Sequence, residues 1–214
     1  MKYKALICDL DGTLLNTLED LMDSVNYGLE LHGIRPITLE QTRRYVGNGV
    51  AKLIERAVPE GTSKEDIAEI LKDFRSYYDE HSQDKTKPYE GVVEMLKEAK
   101  KSGMKLAIVS NKIDSVVGEL AEVYFSGLID VAIGETPDVP KKPAPDMIYK
   151  ALRELEVVGE DAVFIGDSDV DVATGLNSGV DMVTVLWGFR DRQELEEAGA
   201  KIFIEKPEEL FKCI

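Results

Sequence analysis

The sequence predicts a doubly wound α/β fold, a parallel sheet of Rossmann-like character carrying an inserted all-helical cap. Three observations lead there. Short runs rich in Ile, Val and Leu recur along the 214 residues: KALICD (4–9), KLAIVS (105–110), DVAIG (130–134), AVFIG (162–166), DMVTVLW (181–187) and KIFI (201–204). From position 105 onward these runs alternate with stretches of helical spacing. Between 16 and 84 the alternation stops and only helical patterns remain.

Each run is too short for a helix, and most are bounded by Gly, Asp, Ser or Asn. Continuous apolar runs of this length suit parallel strands covered on both faces. The stretch EGVVEMLKEAKKS (90–102) places Val92, Val93, Leu96 and Ala99 on one helical face, with Gly103 as a stop. Residues 113–124 and 146–155 follow the same spacing. Strand, helix, strand, helix is the order of a doubly wound sheet. In the interrupting block, helices are expected at 18–32 (Leu18, Leu21, Met22, Val25, Leu29), 39–45, 49–58 and 65–81 (Ile67, Ile70, Leu71, Phe74), punctuated by Gly33, Pro36 and Gly61. Such a block is too long for an ordinary connection. The expected division is therefore a core of 1–15 and 85–214 and a helical cap of 16–84, with DKTKPYEGV (84–92) as the return hinge. No internal repeat or low-complexity run is seen.

Composition narrows the function classes. Apolar residues make up 43% and charged residues 31%, ordinary for a soluble chain, while the formal net charge is −15. Nucleic acid and anionic membrane surfaces repel such a chain, so neither is expected as a partner. An anionic substrate has to be met by a local cation or a metal. The two cysteines, Cys8 and Cys213, form no C-x-x-C pair. Cys8 reads as a small buried hydrophobe, and a reducing cytosol is the expected compartment. No run of about 18 apolar residues occurs, and MKYKALICDLDG meets acids too early for a signal peptide, so a cytoplasmic location is expected.

Chemistry concentrates just past the strands, where doubly wound sheets bind ligands. ALICDLDGT puts Asp9 at the end of the first strand and Asp11 two positions on, with Gly12 behind. Two acids so close repel unless something offsets them. A calcium loop does not explain them: its glycine stands at position 6, whereas Gly12 is fourth from Asp9. In FIGDSDVDVA (164–173), Asp167, Asp169 and Asp171 follow a buried run, and the calcium pattern fails again, with Val172 and Ser178 at the diagnostic places. Acids capping a helix and filling its first turn are the plain alternative, and Asp169 best fits a surface position. AIVSNK (107–112) offers Ser110 and Asn111 as neutral donors for an anion, or as caps for helix 113–124. VPKKPAPDMI (139–148) offers Lys141 and Lys142, of which Lys142 is preferred because Pro143 follows it directly. Together these groups make a kit for moving a phosphoryl group onto a carboxylate beside Mg²⁺, whose hard charge prefers carboxylate oxygens.

DLDGT (9–13), Ser110 with Asn111, Lys142-Pro143 and GDSDVD (166–171) resemble, in order and spacing, the four motifs of the haloacid dehalogenase superfamily. The helical insert resembles the cap of the subgroup that contains phosphoglycolate phosphatase. Within it YVGNGVAKLIERA (45–57), and outside it KPYEGVVEML and VLWGFR (185–190), resemble segments of that subgroup. The resemblance implies Asp9 as nucleophile, forming an aspartyl-phosphate, and Asp11 as the acid and later the base. An acid at the place of Asp11 argues for phosphate rather than halide. The resemblance also implies Mg²⁺ held by Asp9, the Asp11 carbonyl and Asp167, with Asp171 nearby or bridging through water. Ser110, Asn111 and Lys142 are the implied phosphoryl contacts. In the cap, Asn48 and Gly49 are implied to reach substrate, with Arg43 or Arg44 as cationic candidates that also fit a solvated helix face. The expected activity is Mg²⁺-dependent hydrolysis of a small phosphorylated metabolite, 2-phosphoglycolate first, by a monomer or homodimer. Other phosphatases of this cap type, acting on pyrophosphate, sugar or nucleotide phosphates, and a β-phosphoglucomutase-type mutase are the enzymatic alternatives. A phospho-accepting signalling domain fits poorly, because it lacks the insert and the second acid.

Overall fold

The first strand, β1 (Ala5–Cys8), is buried along its whole length. It lies in the middle of a sheet, which is why its residues are apolar on both faces. The computed structural model describes residues 2–214. Around β1 stand β4 (Lys105–Ile113), β5 (Val131–Glu135), β6 (Ala162–Gly166), β7 (Asp181–Val185) and β8 (Phe203–Ile204), while β2 (Leu15–Asn16) and β3 (Lys87–Pro88) form a separate two-stranded ribbon. The sheet order is β5-β4-β1-β6-β7-β8, and every pairing is parallel. This is the doubly wound arrangement that the sequence predicts. The chain leaves β1 toward β4 on one side and β6 on the other, so the strand order reverses beside β1. A crevice opens at the carboxyl ends where order reverses in such sheets.

Alternate residues of each central strand face opposite ways. Leu6, Cys8, Leu106, Ile108, Val163 and Ile165 join one apolar layer with Val92 and Leu96 of α5 (Val92–Lys101) and Leu120 of α6 (Asp114–Phe125). Ala5, Ile7, Ala107, Val109 and Phe164 join the other with Met147, Ile148 and Ala151 of α7 (Asp146–Leu155). Helix α8 (Asp169–Ser178) follows β6, and α9 (Arg192–Glu197) and α10 (Leu210–Cys213) complete this unit.

Two strands depart from the apolar runs. β4 continues through Ser110, Asn111 and Lys112 to Ile113, so Ser110 and Asn111 stand on a strand end rather than in a loop. Its pairing with β5 is irregular between Val109 and Ile113, which re-aims side chains locally. At the sheet edge, only Phe203 and Ile204 of KIFI form a strand.

The described chain forms two compact units, one of the residues up to Leu15 with Pro88–Ile214 and a second, Asn16–Lys87. The second unit holds α1 (Leu18–Leu31), α2 (Leu39–Tyr45), α3 (Val50–Ala57) and α4 (Lys64–His81). Val25, Leu29, Ile54, Ile70 and Phe74 are buried there. Thr38 and Gln41 make a reciprocal cap at the start of α2, and Ser63 accepts from Asp66 N–H at the start of α4. Asp20 is buried, and its carboxylate accepts from the backbone N–H groups of Lys85 (3.0 Å) and Thr86 (2.8 Å). Among the described residues, no helix is long and apolar enough to cross a membrane.

Candidate active site

Parallel pairing runs up to the first acid: Asp9 N–H donates to the Ile165 carbonyl at 2.9 Å. Beyond it the chain turns tightly, the Leu10 carbonyl accepting from the N–H groups of Leu14 and Leu15, both at 2.9 Å. Gly12 sits in that turn at φ 87°, and a Cβ on it would lie 2.3 Å from an Asp167 oxygen. Only glycine satisfies both the left-handed backbone and the close approach.

Asp167 directly follows β6 and is gripped at both oxygens. Thr13 Oγ1 donates to Oδ1 at 3.0 Å, and the Phe189 N–H donates to Oδ2 at 2.7 Å. The loop that brings in Phe189 is tied down by Trp187, whose indole N–H donates to the Thr13 carbonyl at 2.9 Å. A Cβ on Gly188 would stand 2.3 Å from the Asp167 Cβ, so this loop also needs a glycine to come so near. Arg190, buried beside it, donates to exposed Asp169 at 3.2 Å.

Ser168, not an aspartate, caps α8. Its side chain accepts from Asp171 N–H, while Asp171 Oδ2 accepts from the Ser168 N–H (3.1 Å) and hydroxyl (2.5 Å). Asp171 is thereby turned inward and is fully buried. Its other oxygen meets Lys142 Nζ at 2.7 Å, and the same ammonium donates to Asp9 Oδ1 at 2.7 Å. Lys142 is 4% exposed, whereas Lys141 is exposed and pairs with Glu135. Lys142 thus bridges two motifs that lie far apart in the chain.

Asp9, Asp167 and Asp171 each offer a ligand oxygen within 4.8 Å of the others. Charge is short of balance among them. Burial, and then Asp171, push Asp9 well above the usual carboxylate range, despite Lys142. Burial, and then Asp171, raise Asp167 to about 7, despite the hydrogen bonds from Phe189 and Thr13. Burial works against the Lys142 ammonium, but Asp171 and Asp9 outweigh it and its pKa rises. Buried carboxylates in excess over cations, with oxygens converging on one point, fit a hard divalent cation.

Asp11 stands partly exposed and pairs with Lys112, whose Nζ lies 3.0 and 3.1 Å from its two oxygens. Ser110 Oγ accepts from the Lys112 N–H at 3.2 Å, leaving its own hydrogen for a ligand. Asn111 donates its amide to the Lys142 carbonyl at 2.9 Å, and its buried Oδ1 has no protein partner. One Asn111 hydrogen therefore anchors the loop that carries Lys142. Asn48, Gly49 and Arg44 belong to the helical unit. Arg56 donates to Asn48 Oδ1 and to the Tyr45 carbonyl, each at 2.7 Å, bracing that loop. Gly49 precedes α3 at φ 85°. Arg44 is exposed and pairs with Glu40 one turn earlier on the same helix, and Arg43 is half-buried.

Sequence reasoning missed Lys112, Thr13 and the Phe189 N–H. Thr13 lies inside DLDGT and Phe189 inside VLWGFR, so both segments were visible without their roles. Lys112 had one signal, a lysine directly after Ser110 and Asn111 at the close of an apolar run.

The sequence profile of the haloacid dehalogenase-like hydrolases matches residues 6–185, spanning all of these groups. The chain belongs to that family. Among relatives of this hydrolase, a phosphoglycolate phosphatase of Mesorhizobium japonicum is 32% identical over 202 residues, covering 92% of this chain and 88% of its own. A provisionally named pyrophosphatase of Caldanaerobacter subterraneus subsp. tengcongensis is 30% identical over 215 residues, covering 100% and 96%. A crystal structure from Lactobacillus delbrueckii subsp. bulgaricus, provisionally assigned as a phosphoglycolate phosphatase, superposes with a TM-score of 0.95 at 35% identity, over 100% of this chain and 99% of that one. The dehalogenase-like hydrolase described here is a phosphatase.

Proposed function

We propose that this phosphatase hydrolyses a small phosphomonoester, 2-phosphoglycolate in the first place, through an aspartyl-phosphate on Asp9 and with Mg²⁺. The observation that carries the reading is the buried meeting of Asp9, Asp167 and Asp171 around Lys142, with a second acid, Asp11, two residues beyond the first. Asp9, the Asp11 carbonyl and Asp167 would hold the metal, with Asp171 at its edge. When bound, the cation offsets the charge of carboxylates and phosphate, so that an anionic nucleophile approaches an anionic ester.

The remaining roles belong to side chains. An Asp9 oxygen attacks phosphorus, and the bond from phosphorus to the ester oxygen breaks. Asp11 gives its proton to the departing alkoxide. Water then attacks the same phosphorus, Asp11 takes the proton from it, and the bond to Asp9 breaks, releasing inorganic phosphate and restoring the carboxylate. The Ser110 hydroxyl, the Asn111 amide and the Lys142 ammonium donate to the phosphoryl oxygens, where fixed donors stabilise the charge that spreads in the transition state. Within the helical unit, Asn48 and Gly49, with Arg44 beside them, are the proposed substrate-selecting positions. The net charge of −15 disfavours nucleic acid as partner, and a small anionic metabolite would meet its local cations at Lys142 and the metal.

Pyrophosphate is the second substrate to be weighed, because a relative of nearly equal length carries that name. Phosphate release is measured as kcat/KM over a panel of small phosphomonoesters and pyrophosphate, with Mg²⁺ and with EDTA. The expected result is preference for 2-phosphoglycolate, loss in EDTA and recovery on adding Mg²⁺. Asp9→Asn is expected to bind substrate without turnover. Preference for pyrophosphate moves the assignment to the second substrate; turnover by Asp9→Asn overturns the nucleophile.

A further inference from the structure

Lysine is almost never buried unless paired, and Lys112 is 7% exposed. Its ammonium lies nearly equidistant from both oxygens of Asp11, at 3.0 and 3.1 Å, with the side chains 5% and 21% exposed. Exposed ion pairs contribute little, because two long side chains must be ordered in water. This one is different: the lysine has already left water, so the pair holds its geometry. Two features aim the lysine. It stands on β4 where the pairing with β5 loses register, between Val109 and Ile113, and its backbone N–H is fastened to Ser110 Oγ at 3.2 Å.

Asp11 has much weaker support of its own. It lies past the end of β1, in the turn that Gly12 completes, and its side chain retains some exposure. A carboxylate there has rotamer freedom to lose before it can serve a reacting oxygen. We propose that Lys112 is a positioning residue for Asp11: with its ammonium against the carboxyl oxygens, it fixes the rotamer in which Asp11 meets the leaving oxygen and, later, the attacking water, donating to one oxygen while the other carries the proton that Asp11 gives up and takes back. The inference rests on the acid–base role given to Asp11 above. It requires no contact between Lys112 and the substrate.

The test separates steps that use Asp11 from one that does not. p-Nitrophenolate departs without a proton, whereas the alkoxide of 2-phosphoglycolate needs one. Rapid-quench kinetics with Mg²⁺ compare wild type, Lys112→Met and Lys112→Arg on both esters. Lys112→Met is expected to keep the burst of p-nitrophenolate within about threefold, and to lose about 10–100-fold in phosphoenzyme formation from 2-phosphoglycolate and in hydrolysis of the phosphoenzyme, the scale of loss that a small misplacement produces. KM for 2-phosphoglycolate is expected to stay within about threefold, since formation and hydrolysis of the phosphoenzyme slow together, whereas KM for p-nitrophenyl phosphate falls with the slower hydrolysis. Lys112→Arg should restore most of the loss. In an Asp11→Asn background, Lys112→Met should cost nothing further, because the two act as one unit.

Equal loss in the rate of phosphoenzyme formation from both esters, a KM rise on both, or an added loss in the Asp11→Asn background overturns the proposal; the KM rise would assign Lys112 to the phosphate itself. If Lys112→Met does not fold, Lys112→Gln against Lys112→Arg carries the same comparison. Failure of the underlying reading shows elsewhere, as the absence of a burst and of phosphate release from either ester in the wild type.

Discussion

Lys142→Met removes the ammonium between Asp9 and Asp171 while keeping most of the side-chain length. The ammonium lies 2.7 Å from an oxygen of each acid, and its side chain is 3% exposed. Breaking a buried ion pair by deleting one partner costs about 3–5 kcal/mol, because the other charge stays behind without compensation. Here two carboxylates are left facing each other, so about 4 kcal/mol is expected at pH 8 without metal, within that range. For a chain of this size, each kcal/mol lowers Tm by about 2–4 °C, giving a drop of roughly 8–16 °C. The pH dependence has a definite sign. Asp9 already has a raised pKa in the folded state, and loss of Lys142, which lowers it, raises it further. A carboxylate with a raised folded pKa supports folding at low pH and loses that support as pH climbs through the folded value. The penalty of the substitution must therefore grow with pH. Circular dichroism melts in EDTA at pH 5 and pH 8 read it directly. An unchanged Tm at pH 8, or a larger drop at pH 5 than at pH 8, refutes the reasoning.

Other perturbations address the rest of the site and the helical unit. In EDTA the wild-type protein is expected to melt at lower temperature as pH rises from 5 to 8, because burial and Asp171 raise Asp167 to about 7 and Asp9 is raised as well; Mg²⁺ selects the ionised acids, so its stabilising shift should be larger at pH 8, and an equal shift at both values contradicts the assignment. Gly188→Ala forces a Cβ to within 2.3 Å of the Asp167 Cβ, which is expected to cost about 1–3 kcal/mol of overpacking and to weaken Mg²⁺ activation, measured as the Mg²⁺ concentration giving half-maximal rate. Asp20→Ala deletes the acceptor for the Lys85 and Thr86 N–H groups; a loss of about 2 kcal/mol is expected, together with faster hydrogen exchange at those two amides.

Much of this architecture could be read from residue order. Central strands were legible because a parallel strand covered on both faces has no polar positions to confuse the pattern: ALIC and AVFIG are strands, with helical spacing marking α2 and α7 between their observed ends. Edges were harder. KIFI shrinks to Phe203–Ile204 because an edge strand pairs on one side only and its length is set by its neighbour. β4 outruns its apolar run because Ser110, Asn111 and Lys112 are polar residues on a buried strand, where their polarity hides the strand from the pattern. Within the site, acids were conspicuous because three buried carboxylates are rare without a cation. Lys112 was hidden because a lysine between Asn111 and Ile113 looks like an ordinary strand end, and only the fold brings Asp11 opposite to it. The grip on Asp167 by the Phe189 N–H is carried by backbone, which leaves no side-chain signature except the glycine beside it.

The ribbon of β2 and β3 has an evolutionary consequence. Leu15–Asn16 and Lys87–Pro88 pair with each other, so the helical segment starts and finishes at neighbouring points. A module with adjoining termini can be exchanged like a cassette, because its replacement need only supply two ends that fit the same seam. Recombination at that seam leaves the strand tips bearing Asp9, Ser110 and Asp167 in place.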